Sequence, residues 1–130
     1  MPQFEWSEIY SVGNQELDQQ HQKLFDIANR YNTALEGEVG QKSLIRIFNE
    51  LVEYTGFHFQ REEELMREGG FPGFESHKQN HEKLVKLVMY YKQELDMGGL
   101  GIEQRALDFI KTWLSGHILG MDRKYREFVK

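Results

Sequence analysis

Apolar residues recur at gaps of three and four along four stretches of the chain, the spacing of one face of an α-helix. The first stripe is Leu17, His21, Leu24, Phe25, Ala28, Tyr31 and Leu35; with Asp18 as N-cap and Gly37 as the stop, it predicts a helix over residues 18–36. The second runs through Leu44, Ile47, Phe48, Leu51, Thr55, His58, Phe59, Glu62, Leu65 and Met66, a helix over 40–68 closed by Gly69 and Gly70. The third, over 73–96, starts just after Pro72 and carries Phe74, His77, His81, Leu84, Val85, Val88, Tyr91 and Leu95; Gly98, Gly99 and Gly101 make the next turn. The fourth, over 102–127, carries Ile102, Ala106, Phe109, Ile110, Trp113, Leu114, His117, Ile118, Met121 and Tyr125. No stretch sustains the two-residue alternation of a strand, so no sheet is expected. Short links make sequential helices antiparallel, which predicts an all-α, up-down-up-down four-helix bundle.

Residues 1–17 lack this periodicity. Pro2, Gly13 and Asn14 break regular structure, while Phe4, Trp6, Ile9, Tyr10 and Val12 are too apolar for a free tail. A non-helical arm packed along one end of the bundle is expected, with Trp6 as a packing residue. Gly56 falls inside the second helix, where it costs about 1 kcal/mol against alanine; close approach of a neighbour or ligand would account for it.

The 130 residues fit one domain, large enough for a real core. Hydrophobic content of 39% and charged content of 28% are those of an ordinary soluble protein. A formal net charge of -5 argues against nucleic acid, whose binding rests on Lys and Arg neutralising phosphates. The absence of cysteine excludes disulfides, zinc-thiolate sites, iron–sulfur clusters and thioether-linked haem. No apolar run approaches the roughly 20 residues of a membrane span, and the N-terminus has no basic-then-apolar signal pattern. A cytoplasmic protein, monomeric and without membrane insertion, is expected.

All five histidines fall on inward stripes, joined by Glu62, with Asp122 bordering the fourth stripe. A single such histidine is ordinarily a satisfied core residue. Burying so many polar groups without partners costs a few kcal/mol each, against a total stability of about 5–15 kcal/mol. Their depths also coincide. In an antiparallel bundle the start of the first helix lies beside the end of the second, the start of the third and the end of the fourth. At 1.5 Å per residue, His21, His58, Glu62, His77, His81, His117 and Asp122 all lie within about 15 Å of that one end.

His58 with Glu62 and His77 with His81 are i, i+4 pairs, each pointing one way from its helix. His117 and Asp122 are i, i+5, about 140° apart on a regular helix. Either they straddle two metals, or a π-bulge near Gly120 swings Asp122 inward; some local distortion is the favoured expectation. Seven ligands are too many for one zinc, and calcium and magnesium take oxygen donors rather than imidazoles. Five imidazoles and two carboxylates suit a pair of transition metals, iron foremost. The Glu-x-x-His motif of ferritin-like bundles is absent. Gln20, beside His21, reads as a solvated side chain, with a hydrogen bond to a ligand imidazole as its alternative. Glu63 and Glu64 read as a solvated face.

His21, His58-x-x-x-Glu62, His77-x-x-x-His81 and His117-x-x-x-x-Asp122, together with the Trp6 arm and Trp113-Leu114-x-x-His117-Ile118, resemble the hemerythrins, non-haem di-iron oxygen-binding proteins. The resemblance covers essentially the whole chain and is nearest to the stand-alone bacterial form. It implies that His77, His81 and His117 hold one iron and His21 and His58 the other. Glu62 and Asp122 then bridge both irons with an oxo or hydroxo group. It leaves one open position for dioxygen on the iron with two histidines. Leu24, Phe25, Phe59, Trp113, Leu114 and Ile118 are the candidate walls of the oxygen pocket. The function so implied is reversible dioxygen binding for transport, storage or delivery, non-enzymatic, with an oxygen-consuming enzyme as the recipient. Oxygen sensing, and di-iron oxidase, peroxidase or nitric-oxide-handling activity, are the alternatives. Sensing is less expected, because the bundle occupies the whole sequence.

Overall fold

The computed structural model describes residues 4–129, except the side chain of Leu119, and its regular structure is helical. The helices are α1 (Gln15–Glu36), α2 (Gln41–Glu68), α3 (Phe74–Met97) and α4 (Ile102–Gly120). Short 3-10 segments at Glu8–Tyr10 and Asp122–Tyr125 flank them, and there is no strand among the described residues. α1 packs on α2 and α4, and α3 packs on α2 and α4, so sequential helices alternate in direction around one core as the periodicity implies. No helix of the described residues is long and apolar enough to cross a membrane.

α1 starts earlier than expected. Its N-cap is Asn14, whose side chain accepts from the Leu17 amide at 3.0 Å. Asp18 is a competent cap by residue type, but its carboxylate is engaged elsewhere. It accepts from Ser11 Oγ at 2.6 Å and from the Val12 amide at 2.8 Å, and so ties the arm to the helix. The arm is therefore shorter than residues 1–17, and its first three residues lie outside those described. Phe4, Trp6 and Tyr10 gather around Phe25, with ring centroids 6.3, 5.8 and 4.9 Å from it. Asn29 holds the Phe4 backbone at both its N–H and its C=O.

The bundle has two apolar zones. The larger fills its length and includes Leu24, Ile27, Tyr31, Phe48, Leu51, Val88, Leu95, Ile110 and Leu114. The smaller closes one end with Val12, Leu17, Met66, Tyr125 and Val129. His21 falls between Leu17 and Leu24 on α1, and Glu62 between Phe59 and Met66 on α2, so the polar cluster lies where the two zones meet. The turn from α2 to α3 supports the smaller zone. A Cβ on Gly69 would collide with the Phe128 carbonyl, so glycine is what lets the C-terminal segment cross this turn. Val85 departs from the expected inward stripe of α3 and is 41% exposed.

α4 also ends sooner than the stripe suggests. Helical structure stops at Gly120 instead of continuing to 127, with Met121 N–H bonded to His117 C=O at 2.7 Å. The close approach of a neighbour expected at Gly56 is not found: beyond its chain neighbours and its own helix's backbone, nothing lies within 4 Å of where its Cβ would sit. Its helical conformation accommodates a side chain, so Gly56→Ala is expected to raise stability by about 1 kcal/mol in denaturant titration. A loss of stability would show that the bare backbone at this position is required.

Candidate metal centre

Each helix delivers its polar residues at the same level. His21 comes from the second turn of α1, His58 and Glu62 from the C-terminal half of α2, His77 and His81 from the first turns of α3, and His117 from the end of α4. Asp122 arrives by a change of geometry. A regular helix would carry it about 140° from His117. Instead α4 terminates and the chain resumes as a 3-10 segment beginning at Asp122, which leaves this residue 1% exposed. The expected local distortion is present, as a helix end and a 3-10 restart in place of a π-bulge. All seven expected residues are buried, with exposures from 0% to 8%.

Their donor atoms fall into two sets. Glu62, His77, His81, His117 and Asp122 form one; His21, His58, Glu62 and Asp122 form the other; within each, the ligand atoms lie within 4.8 Å of one another. The two carboxylates belong to both. Asp122 turns Oδ1 toward His77 Nε2 and His117 Nε2, each at 2.9 Å, and Oδ2 toward His21 Nε2 at 3.0 Å. Glu62 Oε1 lies 3.2 Å from the Nε2 atoms of both His58 and His81. These approaches are short, yet none of the inward Nε2 atoms makes a hydrogen bond of acceptable direction, nor do Glu62 Oε1 or either Asp122 oxygen. Distance and direction disagree because the lone pairs converge on shared space between the residues instead of on each other. Buried orphans of this kind are costly, and a cation satisfies them together. Imidazole nitrogen and carboxylate oxygen suit a first-row transition metal, so the donor set fits iron.

The outer nitrogens of two histidines are held from behind. His58 Nδ1 lies 2.7 Å from Gln20 Oε1, and His81 Nδ1 lies 2.9 Å from Glu63 Oε2. Gln20 gives its NH2 group to Glu16, which also binds Arg61, and this fixes which end of the amide faces His58. Both acceptors place the ring proton on Nδ1 and leave the Nε2 lone pair inward, the state a metal needs. Gln20 and Glu63 are therefore supports of the site, not the solvated side chains their sequence positions suggest; Glu64 does stay on the surface, paired with Arg61. Tyr125 was legible as an inward residue, but its role was not. Its hydroxyl donates to Glu62 Oε2 at 2.5 Å, and a buried phenol three residues after Asp122 is the signal that such a partner exists.

Charge among these residues is shared unevenly. Burial opposes ionisation of Glu62, but His58, His21 and His81 outweigh it and hold the carboxyl well below its usual range. Asp122 is lowered likewise: burial and Glu62 oppose its charge, and His117 and His21 prevail. Burial also opposes protonation of His21, yet the negative charges of Asp122 and Glu62 beside its Nε2 raise it to about 9. His58 is pushed the other way, chiefly by burial.

A closed gap adjoins the cluster. It is lined by His21, Leu24, His58, Phe59, Trp113, Leu114, His117, Ile118 and Asp122, and is too tight to hold a water molecule. Five of the six expected pocket residues line it. Phe25 does not; it faces the arm, where Phe4, Trp6 and Tyr10 cover it.

Fold and site together define a four-helix protein with a buried cation-binding centre. Residues 12–129 match the family model described as the hemerythrin HHE cation binding domain. Bacteriohemerythrin of Clostridium acetobutylicum is 34% identical over 126 residues, covering 94% of this chain and 98% of that one. The hemerythrin-like protein of Naegleria gruberi is 34% identical, covering 95% and 91%. A crystal structure of wild-type hemerythrin superposes with a TM-score of 0.87 at 26% identity over 97% of both chains. The chain belongs to the hemerythrin family.

The shifts set a pH dependence for the metal-free chain. The contribution of His21, raised from 6.5 to about 9, is fully present below pH 6.5 and lost as pH rises through 9. His58 is lowered from 6.5, so the fold loses stability as pH falls below that value. Thermal melts of chelator-stripped protein should peak near pH 6.5. Stability that climbs steadily from there to pH 9 would contradict the assignment.

Proposed function

We propose that this chain holds two iron ions and binds dioxygen reversibly, as a carrier, store or delivery protein and not as an enzyme. The observation that carries this reading is the division of the donors into two sets that share Glu62 and Asp122. One ion would be held by three imidazoles and two carboxylates and the other by two imidazoles and the same two carboxylates, which would leave a position free on the second. Both histidines of the two-imidazole set, His21 and His58, line the gap, against only His117 of the three in the other set. A free position beside an apolar wall suits a small neutral ligand.

When bound, the iron pair supplies electrons that dioxygen can take up and return. The protein supplies the rest. Gln20 and Glu63 keep His58 and His81 in the metal-binding tautomer. Tyr125 holds Glu62 from the closed end. Leu24, Phe59, Trp113, Leu114 and Ile118 keep water out, which slows irreversible oxidation of the centre.

Oxygen titration of the di-ferrous protein tests the reading. An adduct that forms and reverses on degassing is expected; rapid irreversible oxidation with turnover of a reductant would favour an oxidase instead. Leu114, one turn before His117, is 1% exposed. Leu114→Ala is expected to admit water and speed autoxidation by about tenfold, equivalent to 1.4 kcal/mol on the barrier. An unchanged rate in the purified variant would remove Leu114 from the pocket wall.

A further inference from the structure

The two supported histidines rest on acceptors of different charge. His58 gives its Nδ1 proton to a neutral amide, Gln20, and His81 gives its proton to a carboxylate, Glu63. These histidines belong to different donor sets. The asymmetry follows the imidazole count: the anionic acceptor serves the set with three imidazoles, and the neutral one serves the set with two.

The surroundings of Glu63 leave its charge for His81. Its side chain is 22% exposed, and no ion pair joins it to a lysine or arginine among the described residues. The nearby Arg61 is occupied by Glu16 and Glu64. Phe59 stacks on the His81 ring with centroids 3.8 Å apart and planes 3° apart, which fixes the ring so that Nδ1 meets the carboxylate and Nε2 points inward. Glu63 also lines a surface groove with Gly56, Gln60, Glu82, Val85 and Lys86.

A carboxylate accepting from Nδ1–H draws the proton toward itself and raises the electron density at Nε2, making that nitrogen a stronger donor to a more highly charged metal. An amide acceptor does so much less. We propose that Glu63 is a positioning residue that tunes charge. Through His81 it strengthens the five-residue donor set toward the ferric state, while Gln20 leaves the four-residue set, next to the gap, the weaker donor. This rests on the di-iron reading above. Its content is that the two metal positions are made unequal by their outer hydrogen bonds as well as by their ligand counts.

Glu63→Gln separates charge from orientation, because glutamine keeps an acceptor for Nδ1–H and loses the negative charge. Two readouts apply to the chain of residues 1–130. The first is the midpoint potential of the iron-loaded protein by spectroelectrochemistry. The second is the rate at which a chelator removes zinc from the zinc-loaded protein, which involves no iron and no oxygen. Glu63→Gln is expected to raise the midpoint potential and to speed release of one of the two metals by about tenfold or more. Gln20→Glu should shift the potential downward. If Glu63→Gln matches the wild type in both readouts, the proposal is overturned even where Glu63→Ala is impaired, since orientation alone would then explain the residue. Failure of the wild-type chain to take up two metals would instead defeat the di-iron reading, a separate result.

Discussion

Glu62 and Asp122 are sealed from water, 0% and 1% exposed, and their oxygens are drawn together over the same few ångströms. Like charges this close repel, and burial removes the solvent that would screen them. His58, His21 and His81 around Glu62, and His117 and His21 around Asp122, answer part of the problem. They cannot answer all of it, because the inward nitrogens and oxygens have short distances without hydrogen-bond directions. The rest of the structure follows from keeping this group dry and in register until cations satisfy it.

The bundle solves that by layering. The main core lies on one side of the cluster, and the Val12, Leu17, Met66, Tyr125 and Val129 zone seals the other. Arm, inter-helix turn and C-terminal segment all contribute to the seal, which explains three features that look unrelated in the chain. Asp18 anchors the arm at Ser11 and Val12. Gly69 lets the Phe128 carbonyl cross the α2–α3 turn. The 3-10 segment turns Asp122 inward and brings Tyr125 under Glu62. On the opposite flank, a wall of Leu24, Leu114 and Ile118 leaves a gap too small for water. The same burial that makes the carboxylates costly thus makes the site a protected one.

Much of this was legible in the chain, for reasons that can be named. Helical periodicity set the four elements, and antiparallel order placed the histidines, Glu62 and Asp122 at one end before any coordinates. Helix limits were weaker. Asn14 and Asp18 are equally good caps by residue type, and only the partners of Asp18 in the arm decide between them. The stripe through Tyr125 continued past Gly120 because a 3-10 turn keeps Tyr125 inward as well as a helix would. Val85 fits the α3 stripe by spacing, but it opens onto a groove instead of a neighbour. Gln20 and Glu63 were the hardest to read. Each adjoins a ligand in sequence, a place where a polar side chain most often meets water, and only the packing of α1 on α2 and of α2 on α3 turns them toward histidines.

The central claim is that two cations share two carboxylates. Native mass spectrometry of the purified chain during stepwise anaerobic addition of ferrous iron tests it most directly. Because Glu62 and Asp122 complete both donor sets, the first ion should organise the second position. A species with two irons at saturation, with little accumulation of the one-iron form, is expected. Saturation at a single iron, or no iron retained at all, would contradict it.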